Sequence, residues 1–467
     1  MTPIKILIYT DFDQINESEE PFGWGITELR KFVRHKTRTL GDFIVDWKYR
    51  FESKAKHTRL TTELLSQYHE LWVLCFITIR EPPYELDQEE VAALFDWMNK
   101  GGGLLVAGDH AAGFCDIGDP ETFEAHGRSL GEPMKRAGQL RKWVGPPTAC
   151  KNKPLRDRDN YNTCEGDDPG RLDDIEFQSD AQAARLSSMR GEPHSLFVVS
   201  DQKSAGVNLI TRFPDHPHES RLIELTKLDG DWPAGSPLPV TAARARDRRF
   251  PNETREYPLV IAWDGPEQYG RIVADSSFHH YININLAGIP ERDRRGLPVP
   301  DSDLDQIANF YRNLAVWLLP RDVRNNLKFD LLFRLAADPD VFEVRGSGYA
   351  SLGRAAQYAL NVKWQLDELQ WLLRYAESEH SKNLDQLLAT VLIAENFTSD
   401  LFAGHAVLLG AIIDSFHHDF ALQGAVTPDW VERRPDPLEM IRKGVESVRE
   451  DHPSLSNRLL SLLESIK

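Results

Sequence analysis

Apolar residues fall along the chain in two different rhythms, continuous runs in the first part and helical stripes in the last. Near the start, IKILIY over residues 4–9 is apolar except for Lys5 and gives way to Asp11, the pattern of a buried strand followed by a polar loop. A helix is expected around Thr27 to Arg34. A second run, LWVLCFI from Leu71 to Ile77, is unbroken, as in a central strand covered on both faces. Asp87 and Glu90 then have the spacing of a capping box. Val91, Leu94, Phe95 and Met98 share one helical face, and Gly101, Gly102 and Gly103 end the helix. Leu104 to Ala107 reads as the next strand. Strand, helix, glycine turn and strand make a βαβ unit, and such units build parallel sheets.

From about residue 113 to 255 the pattern weakens into polar, Pro-rich and charged sequence. It is broken by SLFVVS near Leu196 and VNLITRF near Leu209, which predicts a long insertion with a few strands of its own. Order returns with PLVIAW, Pro258 to Trp263, and GRIVADSSF, Gly270 to Phe278, separated by a turn at Asp264 and Gly265. These two runs predict an antiparallel pair at the edge of the sheet. Leu304, Ile307, Ala308, Tyr311, Ala315 and Leu318 form a helical stripe that closes at Pro320. Beyond it strand signals cease and amphipathic segments follow, with Val362, Leu366, Leu369 and Leu373 on one face. The expected architecture is α/β. A doubly wound, mostly parallel sheet occupies residues 1–320, with its insertion at about 113–255, and an all-α region follows at 321–467.

Composition narrows the functional classes. A chain of 467 residues exceeds what one core usually supports, so two domains are expected. A net charge of -17 argues against nucleic acid as a partner. The opening MTPIKILIYTDFD has too short an apolar stretch for a secretory signal. The longest later apolar run, Leu401 to Ile413, contains His405 and two glycines and falls short of the roughly 20 residues that span a bilayer. Four cysteines, Cys75, Cys115, Cys150 and Cys164, have neither a disulfide framework's number nor a CxxC spacing. A cytoplasmic protein without a membrane segment is the expectation.

Two blocks carry a family resemblance. The first is YHELWVLCFITIREPPYELDQEEVAALFDWMNKGGGLLVAGDHAAG, Tyr68 to Gly113, in which the strand after the glycine turn runs into Gly108, Asp109 and His110. The second is PLVIAWDGPEQYGRIVADSSFHH, ending at His280. Their order and spacing resemble the ThuA-like domains of the class I glutamine amidotransferase-like superfamily, over roughly residues 1–320. The resemblance implies a flavodoxin-like α/β fold and an association with sugar utilisation. It also sets His110 where amidotransferases carry their cysteine nucleophile. The amidotransferase string FHPE is here Phe278, His279, His280 and Tyr281, so His279 fits the histidine slot while Tyr281 replaces the glutamate. Without a thiol at the elbow, thioester chemistry on glutamine is not expected, and Cys115, five residues further on, is the weak alternative nucleophile.

Open parallel sheets bind ligands beyond the carboxyl ends of their strands. The polar clusters expected there are Asp11 with Asp13, Asp109 with His110, and Asp275 to His280, with DHPHE at Asp215 to Glu219 as a fourth. Histidine with carboxylate serves either a divalent metal or general acid/base work. His110, His279, Asp109 and Asp275 are the catalytic candidates, and Asp11 and Trp24 the substrate-binding ones. Trp24, in FGWG, is either a wall for a sugar ring or a loop anchor. His216, His218 and Glu219 are the candidate metal ligands, because two histidines two apart in an extended chain face the same side. His280 is expected to point away from His279 and to be structural. A second string of this kind, Asp414 to His418, lies on an expected helix, which displays its residues differently. Two functions follow. One is an enzyme acting on a small polar, carbohydrate-derived molecule. The other is a catalytically silent scaffold whose helical region binds a protein partner or a second copy of the chain.

Overall fold

The apolar run at the start forms β1 (Ile4–Thr10), buried throughout except for half-buried Lys5. The computed structural model describes residues 3–10, 25–37, 43–53, 56–75, 86–108, 172–176, 194–199, 208–210, 212–214, 239–246, 256–265, 269–276, 278–283, 286, 301–344, 347–362, 399–423 and 436–465. After β1 come α1 (Thr27–Thr37), β2 (Phe43–Tyr49), the short hairpin β3 (Phe51–Ser53) and β4 (Lys56–His57), then α2 (Thr62–Leu65) and β5 (Glu70–Cys75). Next are α3 (Gln88–Met98) and β6 (Gly103–Gly108). Asp87 caps α3 by accepting from the amides of Glu89 and Glu90, and the Glu90 side chain accepts from the Asp87 amide, which completes the capping box.

Later segments add β7 (Leu172–Glu176), β8 (Val198–Val199), β9 (Asn208–Leu209), β10 (Arg212–Pro214), β11 (Val240–Arg246), β12 (Glu256–Trp263) and β13 (Ile272–Asp275). Nine of these strands form one sheet in the order β10-β7-β11-β12-β13-β6-β5-β1-β2. The strands β2, β1, β5, β6 and β13 are mutually parallel, and in order of appearance they lie second, first, third, fourth and fifth. From β13 to β10 every pairing is antiparallel.

Two expectations are corrected by this sheet. It is mixed, not mostly parallel, because β7, β10 and β11 from the inserted stretch join the main sheet and extend it antiparallel, while β8 and β9 pair apart from it. The antiparallel pair β12–β13 therefore lies in the sheet's interior, with β6 on one side and β11 on the other, and not at its edge.

Side chains alternate between the two faces of the parallel strands. On one face Leu7, Tyr9, Leu71, Val73, Leu104, Val106, Ile272 and Ala274 form a core with Leu94, Trp97 and Met98 of α3. On the other, Trp72 meets the ring of Tyr281 edge-on at 6.4 Å. Tyr281 in turn lies 5.7 Å from Tyr311 of α4 (Asp301–Trp317), and Tyr311 stacks on Phe32 of α1 at 6.2 Å.

Three glycines, two of them just after α3, have separate reasons. Gly101 takes φ +92°, the left-handed conformation that ends helices. Gly103 and Gly270 allow backbones to touch: a Cβ on Gly103 would lie 2.0 Å from the Leu318 carbonyl oxygen, and one on Gly270 1.8 Å from that of Gly102. Gly270→Ala is therefore expected to lower stability by about 1–3 kcal/mol, the cost of overpacking a filled site. An unchanged urea midpoint would show that these segments separate freely.

The chain divides into two compact units, one of residues 2–199 and 206–321 and the other centred on 322–467. Most of α5 (Arg321–Ala337), with α6 (Pro339–Glu343), α7 (Tyr349–Val362), α8 (Ser399–Gln423), α9 (Pro437–Ser447) and α10 (Pro453–Ser465), belongs to the second, and every regular element among its described residues is a helix. Helices α7 and α8 approach through glycine, since a Cβ on Gly353 would lie 1.7 Å from the Ala406 oxygen and one on Gly410 1.8 Å from that of Tyr349. The second histidine string is held in this packing. His417 is buried in α8 with Nε2 2.6 Å from the Ala336 carbonyl oxygen. Among the described residues no helix is long and apolar enough to cross a membrane.

Candidate functional site

Four parallel strands end side by side. Thr10 of β1 is in register with Leu74, Cys75 of β5 with Gly108, and Ala107 of β6 with Asp275 of β13. These strand ends lie along one line, the end at which open α/β sheets hold ligands.

Asp275 is the only catalytic candidate whose side chain is among the described residues, and it is fully buried. Its Oδ1 lies 2.7 Å from His280 Nδ1, and its Oδ2 accepts from the Tyr281 hydroxyl at 2.7 Å. The Tyr311 hydroxyl donates to the carbonyl oxygen of His280. Burial first, and then the negative charge of Asp275, push both phenols well above the ordinary tyrosine range, so both remain neutral donors. Asn283 ties the end of this turn to the start of α1. Its amide donates to the Gly25 oxygen at 2.7 Å, its Oδ1 accepts from the Glu28 amide at 2.9 Å, and its Nδ2 donates to Thr27 Oγ1 at 2.7 Å. One of the first-turn amides that a helix leaves without an internal partner is thus satisfied from outside it.

A second polar cluster closes the same end of the sheet beyond β2. Arg50 is buried and donates to Glu90 Oε1 at 2.8 Å, to Glu90 Oε2 at 3.0 Å and to the Tyr9 hydroxyl at 3.1 Å. Its amide donates to the Thr10 oxygen at 2.7 Å, and Glu90 Oε1 also accepts from the Leu60 amide at 3.0 Å.

At the opposite end of the parallel strands lie buried groups that serve packing. Arg271, before β13, pairs with Asp264 at 2.7 and 3.0 Å, donates to the Trp317 oxygen at 2.8 Å and sits 4.5 Å above the Trp317 ring. His194 lies 5.6 Å from that ring; burial, reinforced by the charge of Arg271, pushes it down to about 3, so it is neutral near pH 7. Glu70, at the start of β5, is wholly buried; its Oε2 accepts from Trp72 Nε1 at 2.9 Å and its Oε1 has no partner among the described residues.

The remaining candidates divide simply. His279 belongs to the turn Phe278–Tyr281, and its side chain is outside the described residues. Asp11, Trp24, Asp109, His110, Cys115, His216, His218 and Glu219 also lie outside them. Asp275 is joined to His280, the histidine that the sequence assigns to structure. Tyr311, Asn283 and the Arg50–Glu90 pair have no motif that reveals them; of these only Glu90 is marked, as half of a capping box. Among the described residues no group of three or more His, Cys, Asp and Glu is arranged to hold a metal ion. No protein-family model matches the chain, and no curated protein does.

Proposed function

We propose that residues 1–320 form a doubly wound, flavodoxin-like domain of ThuA-like type, followed by an all-α region, and that the domain acts on a small polar, carbohydrate-derived molecule at the C-terminal ends of its parallel strands. His110 and His279 serve as the acid/base pair there, with Asp109 beside the first and Asp275 behind the second; Asp11 and Trp24 contact the substrate. The observation that carries this reading is the register of Ala107 with Asp275 on neighbouring parallel strands. It sets the origins of both histidine-bearing segments side by side, at the end where such sheets bind ligands. His216, His218 and Glu219 would supply the ligands if a divalent metal takes part.

A second reading, a silent scaffold whose helical region binds a protein partner or another copy, is favoured by one observation: Asp275, His280 and Tyr281 are fully buried and bonded to one another. One experiment separates the two. Thermal unfolding of the wild type is measured against a panel of monosaccharides, disaccharides and sugar acids, and repeated with His110→Ala and His279→Ala. At least one compound is expected to raise the wild-type midpoint by mass action and to bind each variant about tenfold or more weakly, a loss of ~1.4 kcal/mol. Equal stabilisation of the variants would overturn the role of the histidines. A panel without effect, joined to concentration-dependent self-association, would favour the scaffold.

A further inference from the structure

We propose that Asp275 and His280 act as a positioning pair that fixes how the turn Phe278–Tyr281 presents His279 at the C-terminal end of the sheet. This rests on the reading of that end as the site. Both side chains are 0% exposed, so neither meets a substrate directly, and any effect on chemistry passes through the turn.

The geometry is that of an oriented imidazole. A buried carboxylate 2.7 Å from Nδ1 holds the proton on that nitrogen and fixes the ring's tautomer and rotation. The same carboxylate takes the hydroxyl of Tyr281 at 2.7 Å, and Tyr311, from α4, holds the carbonyl of His280. His280 and Tyr281, the two residues after His279, are thus tied to one strand end and one helix, while Asn283 ties the exit of the turn to α1. Stability alone does not call for this arrangement. Buried polar and ionic pairs are often replaced by apolar groups of similar volume at no loss, and in several systems they act by selecting one conformation. Here that conformation belongs to the turn carrying His279, directly beside the end of β6.

The test uses nitrogen-15 histidine spectra of the full chain. In the wild type His280 is expected as the Nδ1–H tautomer. Asp275→Asn, in a chain that keeps its dispersed amide spectrum, is expected to disturb that tautomer and to move the titration midpoint of His279 by at least about half a pH unit. Losing the charge of Asp275 would by itself shift a nearby imidazole, so the charge-neutral Tyr281→Phe is the deciding comparison: a purely structural pair leaves His279 unmoved there, and coincident His279 titrations in wild type and Tyr281→Phe would overturn the proposal. Tyr281→Phe removes one of the two bonds to the carboxylate and decides even where Asp275→Asn fails to fold, since moved His279 signals support the pair. No ligand enters this measurement, so a failed sugar panel and a failed positioning pair remain distinct results.

Discussion

Glu70→Gln is expected to leave the protein more stable than the wild type at neutral and alkaline pH, by a margin that grows as pH rises. Glu70 has no solvent exposure, and among the described residues Trp72 Nε1 provides the one hydrogen bond to its carboxyl. Burial pushes its carboxyl well above the ordinary value of 4.5, only partly opposed by that bond, so the folded chain keeps the proton to a higher pH than the unfolded one. In the unfolded chain the group ionises near 4.5. The sign follows from linkage. Below that pH both states carry the proton and Glu70 adds no pH dependence; above it only the folded state does. Stability is then lost by up to about 1.4 kcal/mol per pH unit until the folded-state value is passed. Glutamine keeps the shape and the acceptor for Trp72 but has no proton to lose. Its amide would lack a partner where the acid has its second oxygen, so at low pH the variant should be equal or weaker by roughly 1 kcal/mol. Urea midpoints of both proteins across the pH range decide the matter. Parallel curves would mean that Glu70 is already ionised in the fold.

The parts of the fold legible in the sequence are those whose signals are local. Asp87 and Glu90 mark the start of α3 because a capping box needs only residues three apart, and Gly101 marks its end because the backbone there takes a positive φ. The apolar strands β1 and β5 announce themselves through burial on both faces. In the antiparallel half the apolar runs of β12 and β13 are equally plain, but β7 is not. LDDIE in β7 is short and polar, and it becomes a strand through backbone bonds to residues distant in the chain, a cause that no local window contains.

At the candidate site the same limit decides which histidine meets Asp275. In an extended chain positions 275, 277 and 279 would share a side. The residues after Ser276 instead curl into the tight helical turn Phe278–Tyr281, which brings positions 280 and 281 back to the carboxylate. The carboxylate at the strand end was readable; its partner depended on a turn that the sequence does not mark.

Removing one member of the Arg50–Glu90 pair is expected to have the largest effect on the first unit. Glu90 accepts two bonds from the guanidinium and one each from the amides of Leu60 and Asp87, and both side chains of the pair are about fully enclosed, at 2% and 1% exposure. Glu90→Ala strands a buried cation and two amides together, which is expected to cost about 3–5 kcal/mol. The double variant Arg50→Met with Glu90→Leu removes the charge along with its partner, and should recover a large part of that loss, because an apolar pair of similar volume avoids the desolvation that the ions suffer. Of the two amides that of Leu60 is buried while Asp87 lies at the surface, so recovery should stop short of the wild type by roughly 1–3 kcal/mol, the cost of one buried donor left without an acceptor. Urea unfolding of the wild type, Arg50→Met, Glu90→Leu and the double variant gives the coupling energy directly. A double variant no more stable than Glu90→Ala would mean that the pair contributes through its backbone bonds alone, and that the guanidinium finds another partner when Glu90 is gone.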